Sequence, residues 1–395
     1  MGKQASRKNM ATVYLHIGTM KTGTSALQRF LDDNREYLES QGYVYPRMKQ
    51  GLPADYFFRN GHFLVYSFDR KKTLDVLEVF EGALEQLAGL AGEYENIILS
   101  DEVIWHCSAR DPEFWRKISE EFQKINCRIK VILYLRRQDT YMESLYNQAI
   151  KSGNMLVRDF DDYVQGRAVK YFSFHYYEGV RNIETYIGKE NISIRVYDKE
   201  QPGNTENSLF SDFLNEIGLS FDENYHVEQP VKNPGLQGNY IEIKRIINSL
   251  PEYRETGNFM ARPLVAASRA RAGDQLKENN HFFTMEKRKE FLAEFEEGNR
   301  KLAREYLGRE DGSLFDEPSE ESEVWEVNEE LLYQDIILAT AEVFCMQEKE
   351  LRELKDRICR LEEAERIRAG RWIRRIYRGF KAFMKKYPAV EGGSK

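Results

Sequence analysis

Lys21 lies in the segment Val-Tyr-Leu-His-Ile-Gly-Thr-Met-Lys-Thr-Gly-Thr-Ser-Ala-Leu-Gln-Arg-Phe, residues 13–30, where an apolar run passes through a turn into a helical pattern. Such a turn favours an anion, because the first N–H groups of a helix lack intrahelical partners and sit at the positive end of its dipole. Gly18 and Gly23 have the spacing of a nucleoside-triphosphate loop. Thr24, however, stands where that loop places its lysine, and the lysine here comes two positions before Gly23. Ser25 occupies the place where a nucleotide hydrolase binds magnesium and is read as a phosphate donor or helix cap. A purely structural strand-to-helix turn would also use Gly and capping hydroxyls.

A second motif follows the apolar run Ile129–Leu135: Arg136-Arg137-Gln138-Asp139-Thr140-Tyr141-Met142-Glu143-Ser144, continuing Leu-Tyr-Asn-Gln. An Arg fork makes paired charge-assisted bonds to phosphate, and a hydroxyl two turns into the next helix can donate one more. In this order, each after a strand, the two motifs resemble those of sulfotransferases that use 3′-phosphoadenosine 5′-phosphosulfate (PAPS), in particular the bacterial and glycan-modifying branch. The resemblance implies that the first loop holds the 5′-phosphosulfate through Lys21, Thr22, Gly23, Thr24 and Ser25. It implies that Arg136 and Ser144, eight residues apart, hold the 3′-phosphate. It covers about residues 11–320, and a softer likeness to the closing section of bacterial members runs through Asn299-Arg300-Lys301-Leu302, Tyr306-Leu307 and Leu314-Phe315. Met20 stands where many relatives carry Pro, and no C-terminal Arg-Lys-Gly element is present, which points away from steroid- or phenol-type enzymes.

The implied reaction moves a sulfuryl group from PAPS to a hydroxyl, or an amine, of a carbohydrate or glycolipid acceptor. This is an in-line displacement whose charge spreads over nonbridging and leaving oxygens, as in phosphoryl transfer. Lys21 would then stabilise the leaving phosphate oxygen, and no metal is required. The acceptor must lose a proton, which calls for a general base. Glu102, in Leu-Ser-Asp-Glu-Val-Ile-Trp-His, is the first candidate because sulfotransferases often place their base after the corresponding strand. His62, in Arg-Asn-Gly-His-Phe-Leu, is the second and His106 the third. Glu102 has an alternative role as a helix cap or Arg partner, and either histidine as a satisfied group on a packed face. His16, inside the first strand, is read as structural or as an edge of the cofactor pocket.

To position these groups, short segments rich in β-branched and aromatic residues predict strands at 12–17, 43–45, 97–100, 129–135 and 192–197. Helical periodicity predicts helices over 25–31, about 74–87, 114–125, 139–151, 178–187, 208–217, 238–249 and 282–307. Alternating strands and helices imply an α/β three-layer sandwich around a mostly parallel sheet, with ligands beyond the carboxyl ends of the strands. Residues 1–10 read as a flexible N-terminus and 11–315 as the α/β domain. An acidic linker over 316–326 then leads to a helical extension over 327–395.

Aromatic residues are abundant and no run approaches bilayer length, which describes a folded, soluble enzyme rather than a disordered or membrane-spanning chain. The polar, basic start and four dispersed cysteines predict a reducing cytoplasm, with neither a zinc site nor a disulfide scaffold. A net charge of −7 conceals an asymmetry: residues 366–386 hold nine Arg or Lys and no acid, so the remainder sums to −16. Trp372, Ile373, Ile376, Phe380, Phe383 and Met384 alternate there with Arg371, Arg374, Arg375, Arg378, Lys381 and Lys385, a pattern that suits an anionic membrane face or a docking helix. Nucleic acid is not expected, since no stacking platform accompanies the charge. Two other function classes stay open: a magnesium-dependent kinase or hydrolase, opposed by the missing lysine after Gly23 and the lack of a clear strand-end Asp, and a noncatalytic glycan- or membrane-binding protein.

Overall fold

Five short strands, each rich in β-branched and aromatic side chains, align in parallel in a computed structural model of the protein, in the order β2-β3-β1-β4-β5. They are β1 (Ala11–His16), β2 (Tyr43–Val44), β3 (Asn96–Ser100), β4 (Cys127–Leu135) and β5 (Ile192–Val196). The structure describes residues 10–48, 58–68, 74–167, 172–197, 206–227, 235–256, 258–272, 280–318 and 323–386. Residues 1–9 of the expected N-terminal segment 1–10 and residues 319–322 of the linker lie outside them.

Period-two alternation builds both faces of the sheet. Val13 and Leu15 of β1 join Ile97, Leu99, Val131 and Leu133 on one side, while Tyr14 joins Ile98, Ile132 and Tyr134 on the other. Because both faces bury apolar side chains, helices must cover both. In chain order the helices of this part are α1 (Thr24–Asp33), α2 (Arg35–Ser40), α3 (Leu74–Glu93), α4 (Val103–Ser108), α5 (Phe114–Lys124), α6 (Gln138–Lys151), α7 (Phe160–Arg167), α8 (Tyr176–Ile187) and α9 (Glu206–Glu216). Helices α3, α4, α5 and α8 cover the first face, and α1, α2 and α9 the second. The result is the three-layer α/β arrangement.

The chain divides into two compact units, residues 1–237 with 277–326, and residues 238–276 with 327–395. The second unit holds α10 (Tyr240–Ile247), α11 (Pro251–Thr256) and α12 (Ala261–Ala272), the first also α13 (Met285–Ala293) and α14 (Glu296–Leu307), and the second ends with α15 (Glu329–Lys386). The helical extension expected from residue 327 therefore recruits residues 238–276 as well. Its anchor is buried Asp335 on α15, which accepts from Asn239 Nδ2 at 2.8 Å and pairs with Arg271 of α12 at 3.4 Å. The single helix expected over 282–307 is instead α13 and α14. Phe291 and Phe295, on either side of the break, are both buried and pack on each other and on Phe174.

Candidate functional site

After His16 the chain stays beside β4 for three more residues, with Ile17 N–H donating to Ile132 O at 3.0 Å and Thr19 N–H to Tyr134 O at 2.8 Å. It then turns sharply. Lys21 has φ 72° and Gly23 φ 77°, both in the left-handed region. Gly23 adopts it without steric penalty, and a Cβ there would stand 2.6 Å from Leu209 Cδ2, which would have to shift. Lys21 carries a Cβ there, a strain of about 1–3 kcal/mol that its surroundings must hold.

Those surroundings come from β4 and α6. Arg136 Nη1 donates to Lys21 O at 3.0 Å and its Nε to Thr140 Oγ1 at 3.0 Å, while the Arg136 carbonyl accepts from Tyr176 OH at 2.6 Å. Lys21 Nζ reaches Gln148 Oε1 at 3.5 Å. Thr140, Ser144 and Gln148 recur every four residues on α6 and so share one face. Ser144 is half-buried between the positions that meet Arg136 and the Lys21 ammonium, with no hydrogen bond of its own among the described residues. The two sequence motifs thus converge on one stretch of α6.

Within the loop, Thr22 Oγ1 donates to Thr19 O at 2.7 Å, so its proton shapes the turn. Gly23 is the residue before α1, with no side-chain cap, and Ser25 is exposed. The N–H groups of Thr24 and Ser25 open α1 and lack intrahelical acceptors. Arg137 is drawn elsewhere: it forks onto Asp139 at 2.8 and 3.1 Å and donates to Asp316 O. Asp139 and Glu143 also receive Arg288 of α13, which is buried.

At the end of β3, Asp101 is fully buried and heavily engaged. Arg59 Nε and Nη2 approach its Oδ2 at 3.1 and 2.9 Å, His62 Nδ1 at 3.0 Å, and Val103 N–H donates to Oδ1 at 2.8 Å. Asp101 therefore caps α4, and the Glu102 side chain makes no capping bond. Gln28 Nε2, from α1, donates instead to Glu102 Oε2 at 3.2 Å and to Ser100 Oγ at 3.2 Å. Burial, and then the charge of Asp101, raise the Glu102 pKa above the ordinary carboxylate value, with Arg59 opposing them. His62 Nδ1 is nearer to Asp101 than to Arg59 Nη2 at 3.3 Å, and we assign its proton toward the carboxylate, leaving Nε2 as acceptor. His106 lies in the last turn of α4.

His16 joins the two regions. Its Nδ1 meets Ser100 Oγ at 2.8 Å, and burial lowers its pKa to about 3, so the ring is neutral. Its Nε2 and the Thr19 hydroxyl are buried without a partner among the described residues. A Cβ on Gly18 would stand 3.0 Å from that Nε2. Buried polar atoms of this kind call for a ligand or an ordered water.

Asp101, Arg59 and Gln28 escaped the sequence reading. Asp101 could have been found as the acid adjoining Glu102 at a strand end, but nothing local announces Arg59, 42 residues away. Among the described residues no group of three or more His, Cys, Asp or Glu side chains converges as a metal site would, and no helix is long and apolar enough to cross a membrane.

No protein-family model matches the sequence. Over 192 residues the chain is 33% identical to an uncharacterized protein of Archaeoglobus fulgidus, a match that covers 48% of this chain and 49% of the other. The chain thus spans about half the length of the curated relative it matches. Among solved structures, a sulfotransferase from Alicyclobacillus acidocaldarius aligns over 56% of this chain and 86% of its own, with a TM-score of 0.35 and 12% identity.

Proposed function

We propose that the protein transfers a sulfuryl group from PAPS to a hydroxyl or amine of a carbohydrate or glycolipid acceptor. The observation that carries this reading is the convergence of Lys21, Ser144 and Arg136 along α6, beside a strained loop at the end of a parallel strand. The donor set suits two anionic groups: one at the helix-start N–H groups and the Lys21 ammonium, the other at the Arg136 and Ser144 end. The unpartnered His16 Nε2 and Thr19 Oγ1 behind the loop fit a site completed by a ligand. PAPS, when bound, supplies an already activated sulfuryl group.

In this reading Lys21 Nζ meets the charge that grows on the leaving phosphate oxygen, and the loop N–H groups hold the nonbridging oxygens. Arg136 and Ser144 bind the unreacting 3′-phosphate. Glu102 takes the acceptor's proton: its carboxylate is not used in capping, Gln28 orients it, and its raised pKa suits a base. His62, oriented by Asp101, is the rival for that role.

One observation favours a phosphate-transferring enzyme instead. Contrary to the expectation that no clear strand-end Asp is present, Asp101 ends β3 next to β1, where a nucleotide kinase would hold an acid for magnesium. Its oxygens are already taken by Arg59, His62 and Val103 N–H, and a guanidinium on the carboxylate opposes a cation there. Calorimetric titration with adenosine 3′,5′-bisphosphate, with and without magnesium, separates the readings. Metal-independent binding supports sulfuryl transfer, magnesium-dependent preference for ATP supports the kinase, and no nucleotide binding supports a noncatalytic protein on the same fold.

Residues 366–386 are proposed to touch an anionic membrane from its cytoplasmic side. Trp372, Ile373, Ile376 and Tyr377 are exposed on α15 together with Arg374, Arg375 and Arg378, while the side chains of Arg371, Phe380, Phe383, Met384 and Lys385 lie outside the described ones. Cosedimentation with vesicles containing phosphatidylserine, against neutral vesicles, tests this.

A further inference from the structure

Every residue of α15 from Gln347 to Arg366 is exposed, yet this stretch is not uniformly polar. Leu351, Leu354, Ile358 and Leu361 are 48, 57, 53 and 60% exposed, and Phe344 precedes them at 66%. Their spacing alternates three and four. With Ile337, Phe344, Leu351 and Ile358 at position a of a heptad, Leu354 and Leu361 fall at d. The outer positions b, c and f between residues 349 and 363 are charged except for Cys359. An unpartnered helix gains nothing from such a seam.

We propose that this seam is covered by the same segment of a second copy of the chain, in a parallel, in-register two-stranded coiled coil over residues 344–362. The flanking charges select this partner and direction. Glu350 and Arg357 are at g, Lys355 and Glu362 at e. In a parallel pair each g residue faces the e residue of the following heptad on the other helix. Glu350 then meets Lys355 of the second copy, and Arg357 meets its Glu362; two-fold symmetry repeats both pairs. The antiparallel register that packs all four residues of the Leu351–Leu361 seam sets Arg357 against Arg357 and Lys355 against Lys355 instead. Ile358 at a with Leu354 and Leu361 at d further favours two strands. The inference stands apart from the proposed chemistry, since it uses no residue of the loop or of α6.

Sedimentation velocity of the full chain over a micromolar concentration series tests it. A dimer is expected for the unaltered chain and a monomer for L351E/I358E, whose changes lie on an exposed segment and leave the melting of the α/β core in place. The charge variants test the direction. E350K should raise the dissociation constant roughly fivefold or more, and E350K/K355E should restore it, because the pair is rebuilt with its signs exchanged. A chain that is monomeric throughout, a dimer indifferent to L351E/I358E, or a double exchange weaker than E350K alone would each overturn the proposal.

Discussion

The carbonyl of Lys21, held at φ 72°, accepts a hydrogen bond from Nη1 of Arg136, 115 residues away, at 3.0 Å. Arg136 is therefore both a ligand candidate and the brace of the loop that carries the lysine. Arg136→Ala should weaken binding of adenosine 3′,5′-bisphosphate, lower discrimination against nucleotides without a 3′-phosphate, and also lower turnover at saturating PAPS because the loop relaxes. Arg136→Lys keeps a charge but not the fork, and should recover some affinity and little selectivity. Calorimetry and steady-state kinetics on both variants measure this; full turnover at saturation would mean that the brace has no catalytic consequence.

Lys21 separates chemistry from backbone strain. In the proposed function the Lys21 interaction strengthens in the transition state, so removing its ammonium should cost orders of magnitude in turnover with a smaller loss of nucleotide affinity. Lys21→Ala and Lys21→Gly should share that loss and differ in stability. Glycine relieves the left-handed strain and alanine does not, so the glycine variant should melt higher. Equal melting temperatures would show that the loop relaxes once the side chain is gone.

Asp101 supports the region through its ion pair with Arg59. Its carboxylate is fully buried under Arg59, and Asp101→Ala removes the fork of that guanidinium, leaving Glu102 as the carboxylate near it at 4.0 Å. Breaking a buried pair in this way costs about 3–5 kcal/mol, to be read from denaturant unfolding. His62→Ala removes one weaker contact of the same carboxylate and should cost far less stability. If both variants unfold alike, His62 is the principal support of Asp101.

The strands were legible because alternation sorts their side chains to two faces: Val13 and Leu15 go one way, Tyr14 the other. The loop and Arg136 were legible as local patterns beside apolar runs. What joins them was not, because the Arg136–Lys21 bond and the strip Thr140, Ser144 and Gln148 depend on how α6 lies against the loop. The split of 282–307 into α13 and α14 was hidden for a similar reason. Charged residues fill helix faces continuously across Glu294, and only the burial of Phe295 against Phe174 and Phe291 marks the turn.

Glu102 offers a test in which stability and activity move in opposite directions. Burial and the neighbouring Asp101 raise its pKa above 4.5 in the folded protein. Between that ordinary value and the raised one, the folded chain keeps a proton that the unfolded chain has released. The unfolded state binds fewer protons there, so stability falls as pH rises through the window, and the deficit persists at neutral pH. Glu102→Gln carries no charge and should match the parent protein below pH about 4.5 and exceed it in melting temperature at pH 7. As the general base it should also lose at least ~100-fold in turnover with PAPS affinity kept, the lower end of what positioned bases contribute. A carboxylate that only held the fold would instead lose stability and keep its rate. Should Glu102→Gln melt higher yet turn over normally, the proton passes to His62, and His62→Ala would show the missing ~100-fold.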